Sequence, residues 1–305
     1  MILAPLRGVT IRCFREVFAD IIREAGFTEA VTPFIPAIAG YDPMKDRELR
    51  NPGSGIGDQG DGIKVTPQFI GKDPEALRSC LEKVKAAGFE TADLNAGCPY
   101  PMVRNKGRGS GLLRTPEVLR RMLEVGCEVM GEGKFSLKAR LGVDKPDELL
   151  KLMPIINEFP LRFLTVHART ARQMYEGRCD VEMAEKVEKV AKVPVVRNGD
   201  IQLPGVSGFG FQVSGGRFQV AGSGIADGSR IMIGRSFVRW LGTREDCRAL
   251  LERYIAASQV ELCGDAPVLG RMKELIAYWK DLPQWKRRWN VIKICRSVDE
   301  LKSAC

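Results

Sequence analysis

The chain is poor in the residues that build metal centres and extracellular scaffolds. Its 305 residues hold a single histidine, His167, so a His-rich metal site or a Cys/His zinc module is nearly excluded and no metal is expected. Nine cysteines are present, but they are scattered and none forms a Cys-x-x-Cys pair. With no signal-like segment at Met1-Ile2-Leu3-Ala4-Pro5, that usage fits a reducing compartment rather than a disulfide framework. No apolar run reaches the ~18 residues of a membrane-spanning helix. The expectation is a soluble, cytoplasmic, monomeric protein without membrane contact. Acidic residues are also a minority, 38 against 47 Lys plus Arg, for a formal charge of +9. That balance leans toward polyanionic partners and says nothing about fold.

What is present is a regular alternation of apolar runs and amphipathic runs. Strands are predicted at Ile2 to Pro5, Glu29 to Thr32, Ile63 to Ile70, Glu90 to Leu94, Lys134 to Arg140, Arg162 to Val166, Val193 to Arg197 and Ile231 to Ile233. Between them the 3.6-residue period predicts helices at Ile11 to Glu24, Pro74 to Ala87, Pro116 to Met130, Asp147 to Phe159 and Val181 to Ala191. Near-continuous apolar strands such as F-L-T-V and V-P-V-V point to a parallel sheet covered on both faces. Eight strands in roughly 235 residues match an α/β protein of the (β/α)8 TIM barrel class. Two stretches break the rhythm: Ala39 to Gly62, rich in Gly, Pro, Asp and Arg, and Gln202 to Gly228, which holds eight glycines where the seventh helix is due. Beyond the last strand a short helix is expected near Phe237, Val238 and Leu241, then stronger helical patterns at Glu245 to Cys263 and Val268 to Asp281. The predicted division is a catalytic barrel over 1–242 and a helical domain over 243–305.

The most informative stretch runs from Asp93 to Leu113, D-L-N-A-G-C-P-Y-P-M-V-R-N-K-G-R-G-S-G-L-L. It joins a strand to a helix through about twenty residues where two to six are ordinary, and such loops are usually functional or disordered. Asn95, Cys98, Asn105 and Lys106 supply two amides, a thiol and a cation, and four glycines allow close backbone approach to a ligand. An arbitrary cysteine is more often a small buried hydrophobe than a catalytic group. Cys98 lies just past a strand end, between Gly97 and Pro99, where a stiff backbone holds the side chain at a loop mouth.

These residues resemble the tRNA-dihydrouridine synthases, whose Leu-Asn-x-Gly-Cys-Pro signature reads here Leu94 to Pro99. Further motifs follow in the family's order: Ala4-Pro5, Gln68 in Q-F-I-G, Gly109 to Leu113, Lys138 and Arg140 in L-K-A-R-L-G, His167 to Thr170, Asn198 to Ile201, and Gly234-Arg235. Each motif is weak alone; their order is specific. The likeness covers about residues 2 to 240 and weakens beyond. It departs at Arg7, in Pro5-Leu6-Arg7-Gly8 where many members carry Met-Ala, at Gly111 in place of a usual Ala, and at Ser236 in place of Gly.

The resemblance implies FMN as cofactor and NADPH as reductant. FMN is expected against Pro5, Leu6, Arg7, Gln68, Lys138, His167, Asn198, Gly199, Asp200, Gly234 and Arg235, with Gln68 and Lys138 at its ring. The two steps after the last strands lie where such barrels commonly bind phosphate. It implies hydride transfer to C6 of a tRNA uridine and a proton from Cys98 to C5, with Asn95, Lys106, Arg140 and Arg169 as substrate contacts. R-M-K-E-L-I-A-Y-W, beginning at Arg271, and the early Pro-Leu-Arg-Gly resemble the subgroup acting on position 16 of the D-loop.

From Arg271 to Lys302 stand nine basic and four acidic residues, interleaved with Trp279, Trp285 and Trp289. Cations meeting phosphates and rings stacking on bases suit tRNA, with Lys286, Arg287 and Arg288 as candidates. The alternative is a helical bundle with solvated charges and packed tryptophans. Two other functions compete: a flavoenzyme acting on a small pyrimidine-like molecule, and an RNA-binding protein without activity.

Overall fold

The computed structural model describes residues 1–49, 63–203 and 230–305, and the backbone of 211–214 and 217–220. Its parallel sheet is built from ten short strands, of which four are halves of two interrupted ones. Glu29–Val31 and Ile35–Pro36 form β2, broken at Thr32-Pro33-Phe34; Lys64–Thr66 and Gln68–Ile70 form β3, broken at Pro67, which has no N–H to give. The break is patched by Thr32, whose N–H reaches Thr66 O (3.0 Å) and whose hydroxyl accepts the Gln68 N–H (3.0 Å). The others are β1 (Ile2–Leu3), β4 (Ala92–Ala96), β5 (Phe135–Gly142), β6 (Leu164–Thr170), β7 (Val195–Asn198) and β8 (Arg230–Ile233). Each pairs in parallel with the next, and β1 pairs with both β8 and β2, so eight strands close into the expected barrel.

The outer helices start where the sequence signals them. Asp73 accepts from the N–H groups of Glu75 and Ala76 and opens α2 (Pro74–Ala86); Asp180 accepts from Met183 and opens α5 (Val181–Val190). α1 is in two pieces, Arg12–Val17 and Ala19–Glu24, hinged at Phe18. α3 (Pro116–Met130) has the predicted bounds, and α4 (Glu148–Ile156) ends three residues short of them. After β8 comes α6 (Arg235–Leu241). No α-helix follows β2 or β7 among the described residues. Between β7 and β8, Phe211–Ser214 and Arg217–Val220 pair antiparallel, and all eight glycines of the Gly-rich stretch lie outside the described residues, as do 50–62 of the earlier long loop.

Four more helices follow: α7 (Cys247–Glu261), α8 (Asp265–Ile276), α9 (Pro283–Ile292) and α10 (Val298–Ala304). Their apolar faces do not make a separate core. Tyr254, Met272, Ile276 and Trp279 lie in one cluster with Phe14, Phe18 and Phe27 of the barrel's first unit and Phe237 of α6. Tyr254 meets Phe14 edge-on at 5.9 Å, and Gly242 lies so close to the Trp279 ring that an added Cβ would stand 2.6 Å from its Cδ1. The Trp279 indole N–H bonds Val238 O (2.6 Å), and that of Trp285 bonds Gly242 O (2.9 Å). The stacking role expected of these two rings is therefore corrected: they are 1% and 0% exposed and fasten the tail to the barrel. No helix among the described residues is long and apolar enough to cross a membrane.

Candidate active site

The loops at the C-terminal ends of the strands enclose a cleft of about 460 Å³, within the usual range for cofactor sites. Every residue expected to hold the cofactor lines it, from Pro5, Leu6 and Arg7 through Gln68, Lys138, His167, Asn198, Gly199 and Asp200 to Gly234 and Arg235. Asn95, Cys98 and Arg140 line it too.

Cys98 is held from both sides along its backbone. Its N–H and that of Gly97 donate to Asn95 Oδ1 (2.8 and 3.0 Å), while its carbonyl accepts from the N–H and hydroxyl of Ser110 (3.1 and 2.8 Å). The Gly109-Ser110-Gly111 run folds back under it. Gly109 has φ +56° and would push a Cβ to 2.7 Å from Cys98 Cβ, and a Cβ at Gly111 would run into the Arg104 carbonyl. The departure from the family's alanine at 111 thus coincides with a close backbone contact. Burial pushes the thiol above its ordinary value, against the Tyr100 N–H and the charges of Arg140, Arg7 and Lys138. At neutral pH the group is a thiol, ready to give a proton.

Facing it is a crowd of cations. Lys138 is lowered to about 8 by burial first and by Arg140 next, with Asp93 and Cys98 opposing. One of its N–H groups goes to Asn198 Oδ1 (3.1 Å), and an ammonium has two more to give. His167 is held well below its ordinary value by burial and by Arg140, Lys138, Arg169 and Arg235, so the ring is neutral. Its Nε2 lies 3.3 Å from Arg169 Nη1, which requires Nε2 to accept and places the proton on Nδ1. Asp200, at φ +50°, is a carboxylate of this face; it pairs with Arg169 and lies 3.7 Å from Arg235.

Two expected substrate contacts have other work. Arg140 is 1% exposed and gives its N–H groups to the carbonyls of Gly97 (2.9 Å), Thr170 (2.9 Å) and Met174 (2.6 Å), tying the Cys98 loop to the loop after β6. Arg169, also expected to contact substrate, is 2% exposed and outside the cleft lining, bonded to Asp200, Gly177 O (2.8 Å) and Glu176 O (3.1 Å). Lys106 is exposed outside the cleft lining, and Lys286, Arg287 and Arg288 lie on α9, none of them in the cleft. Sequence reasoning missed Phe34, Tyr100, Tyr175, Arg239, Tyr278 and Asp281, all of which line it. Tyr175 has both Arg140 and Arg235 against its ring, at 5.3 and 5.0 Å. Tyr100 and Tyr278 stand inside stretches quoted above without having been singled out, and no motif marks the other four; Tyr278 and Asp281 are brought in by the packing that buries Trp279.

The donor set suits a planar anionic cofactor with a phosphate tail. Lys138 and Gln68 both line the cleft, a cation and an amide able to meet a polar ring edge. Arg235 and Arg239 supply cations beside Gly199 and Gly234; a Cβ at Gly199, where φ is +105°, would come within 2.8 Å of the His167 ring. Among the described residues no group of three or more His, Cys, Asp and Glu is arranged to hold a metal ion.

The dihydrouridine synthase family model matches residues 2–208. The tRNA-dihydrouridine synthase B of Vibrio vulnificus is 27% identical over 205 residues, covering 67% of this chain and 61% of its own. The tRNA-dihydrouridine(16) synthase of Pseudomonas putida is 32% identical over 201 residues, covering 65% and 61%. A probable tRNA-dihydrouridine synthase of Helicobacter pylori is 27% identical over 319 aligned positions, covering 100% and 90%. The match thus spans about three fifths of the first curated relatives. Among solved structures, morphinone reductase in complex with tetrahydroNAD superposes with a TM-score of 0.51 at 12% identity, covering 78% of this chain and 83% of that one, a likeness of fold alone.

Proposed function

Because the chain belongs to the dihydrouridine synthase family, we propose that it reduces a uridine in the D-loop of tRNA to 5,6-dihydrouridine, with FMN as cofactor and NADPH as reductant, as a cytoplasmic monomer. The observation that carries this reading is the meeting of a buried, protonated thiol with a cationic, glycine-floored cleft at the C-terminal ends of the strands. When bound, FMN would take a hydride from NADPH and give it to C6 of uracil.

The chain's own residues do the rest. Lys138, lowered to about 8 and so still mostly protonated at neutral pH, offsets negative charge at the ring, and Gln68 and Asn198 fix the ring's edge. Arg235, Arg239 and the backbone at Gly199 and Gly234 hold the phosphate. Cys98 Sγ gives its proton to C5 as a general acid. The uridine must leave its stack to reach that atom, and Tyr100 and Tyr175 line the cleft where an extruded base would enter. The likeness to an enzyme named for position 16 supports that target within the D-loop.

The test is a purified chain that is yellow, is bleached by NADPH and regains its colour with unmodified tRNA but not with free uridine or uracil. Colour restored by the free pyrimidines would favour the small-molecule reading; a colourless protein that still binds tRNA would leave only RNA binding.

A further inference from the structure

Asp93 lies one layer beneath the cleft, fully buried, in a row that crosses three strands: Gln68 on β3 pairs with Asp93 on β4, and Asp93 with Ser136 on β5. Both of its hydrogen-bond donors are neutral, the Ser136 hydroxyl (2.6 Å to Oδ1) and the Gln68 amide (2.7 Å to Oδ2). Burial pushes the carboxyl up to about 7, against the pull of Ser136, Gln68 and Lys138 and with a further push from Glu29. A buried carboxyl is costly, and packing alone would be served by an apolar side chain.

The hydrogen bonds from Asp93 run in one direction. The N–H groups of Gly97 and Cys98 can only donate, so the Asn95 atom facing them is its oxygen. The Asn95 nitrogen then faces Gln68, which must present its oxygen (2.7 Å), and the Gln68 nitrogen faces Asp93, which must present an acceptor. The polarity of two amides is thus set at one end by the backbone under Cys98 and at the other by a carboxyl oxygen. If Asn95 flipped, donors would face donors at Gly97 and Cys98; if Gln68 flipped, its nitrogen would face the Asn95 nitrogen and its oxygen the Asp93 carboxyl.

We propose that Asp93 is a positioning residue for the proton donor, orienting Gln68 and Asn95 so that Asn95 Oδ1 holds the backbone of Gly97 and Cys98. Ser136 makes the device indifferent to protonation. Its hydroxyl also lies 3.3 Å from Ala92 O, so a proton on Asp93 Oδ1 can be donated to Ser136 Oγ while the hydroxyl turns to Ala92. Oδ2 then still accepts from Gln68. An asparagine at 93 can do the same with its nitrogen toward Ser136, whereas a leucine of similar size leaves Gln68 without an acceptor.

The experiment compares Asp93→Leu, Asp93→Asn and wild type by amide hydrogen exchange of peptides spanning 94–100 in the full chain, with the α3 peptides as an internal reference for stability. The leucine variant is expected to exchange faster at Gly97 and Cys98 with α3 unchanged, and the asparagine variant to match wild type. Unchanged exchange in Asp93→Leu, or equal loosening in both variants, overturns the proposal. If Asp93→Leu does not fold, Gln68→Leu breaks the same chain at its middle, and unchanged exchange there overturns it equally. The kinetic arm rests on the proposed reaction: Asp93→Leu should lose about 10- to 100-fold in uridine reduction, the cost of a misplaced reacting group, and Asp93→Asn should restore it. A wild-type protein that reduces no uridine would sink the proposed function and leave the exchange result standing.

Discussion

At the N-terminal ends of the strands, Glu29 takes both terminal nitrogens of Arg162 (2.6 and 2.8 Å) and the hydroxyl of Thr66 (2.7 Å), and that hydroxyl lies 2.9 Å from Thr91. At the C-terminal ends, Lys138, Arg140 and Arg235 crowd one neutral histidine, and burial and mutual repulsion lower Lys138 and His167 together. Below, charge is neutralised as it is buried. Above, Arg235 reaches Asp200, but Lys138 and Arg140 are buried with only neutral hydrogen-bond partners. The lower arrangement suits stability; the upper one suits an anionic ligand, and perturbed groups gathered in a cleft are the physical mark of a working site.

The largest effect expected on this contrast is chemical. Cys98→Ala should keep cofactor and NADPH oxidation while uridine reduction falls about 10²- to 10⁴-fold, the usual contribution of a general acid. Dihydrouridine formed at the wild-type rate by this variant would remove Cys98 from its role. Next comes Glu29→Ala, which strands the Arg162 guanidinium and should cost about 3 kcal/mol in urea unfolding with little change in the cleft. A loss well under 1 kcal/mol would mean that the lower end does not hold the barrel together.

Lys138→Met should do the reverse, lowering cofactor occupancy with no such loss of stability. Lys138 titrates at about 8 in the fold against its ordinary 10.5. Between those values the unfolded chain binds the extra proton, so the apo wild type should gain stability on Lys138→Met as pH rises through the window. The gain is at most about 1.4 kcal/mol per pH unit. A difference that is flat with pH would mean that Lys138 is solvated. Over the same rise cofactor affinity should weaken, since the ring loses its cation. The smallest effect belongs to the surface: Lys286, Arg287 and Arg288 changed together to Ala should make the slope of log K for tRNA against log salt shallower by up to about three units. An unchanged slope would put the RNA elsewhere.

Much of the barrel was legible because strand and helix periods are local. So was the ring of polar residues, since Gln68, Asn95, Lys138, His167 and Asn198 each interrupt or follow a predicted apolar strand. What could not be read depends on register between distant strands. Asp93 stands in the predicted strand Glu90 to Leu94, but its partners appear only when pairing sets it between Gln68 and Ser136. Arg169 is expected to contact substrate, but β6 runs on to Thr170 and the residue stands outside the cleft lining. Trp279 and Trp285 suited an RNA surface equally well until Gly242 and Val238 received them. In each case the residue type was readable and the direction of the side chain was not.

The closure of the ring has a consequence for how the chain is made. Ile2 and Leu3 pair on one side with Glu29 and Ala30 and on the other with Met232 and Ile233. At about 5–20 residues per second, tens of seconds pass between synthesis of the two flanks of that strand. Through that interval one flank of β1 has no partner. The apolar faces of α1 likewise wait for α7 and α8 to cover them. β1 is thus made well before the second of its two neighbours and is locked only when that neighbour arrives. A nascent chain stalled shortly before residue 230 would present an open barrel edge and bare phenylalanines, the kind of surface that chaperones bind.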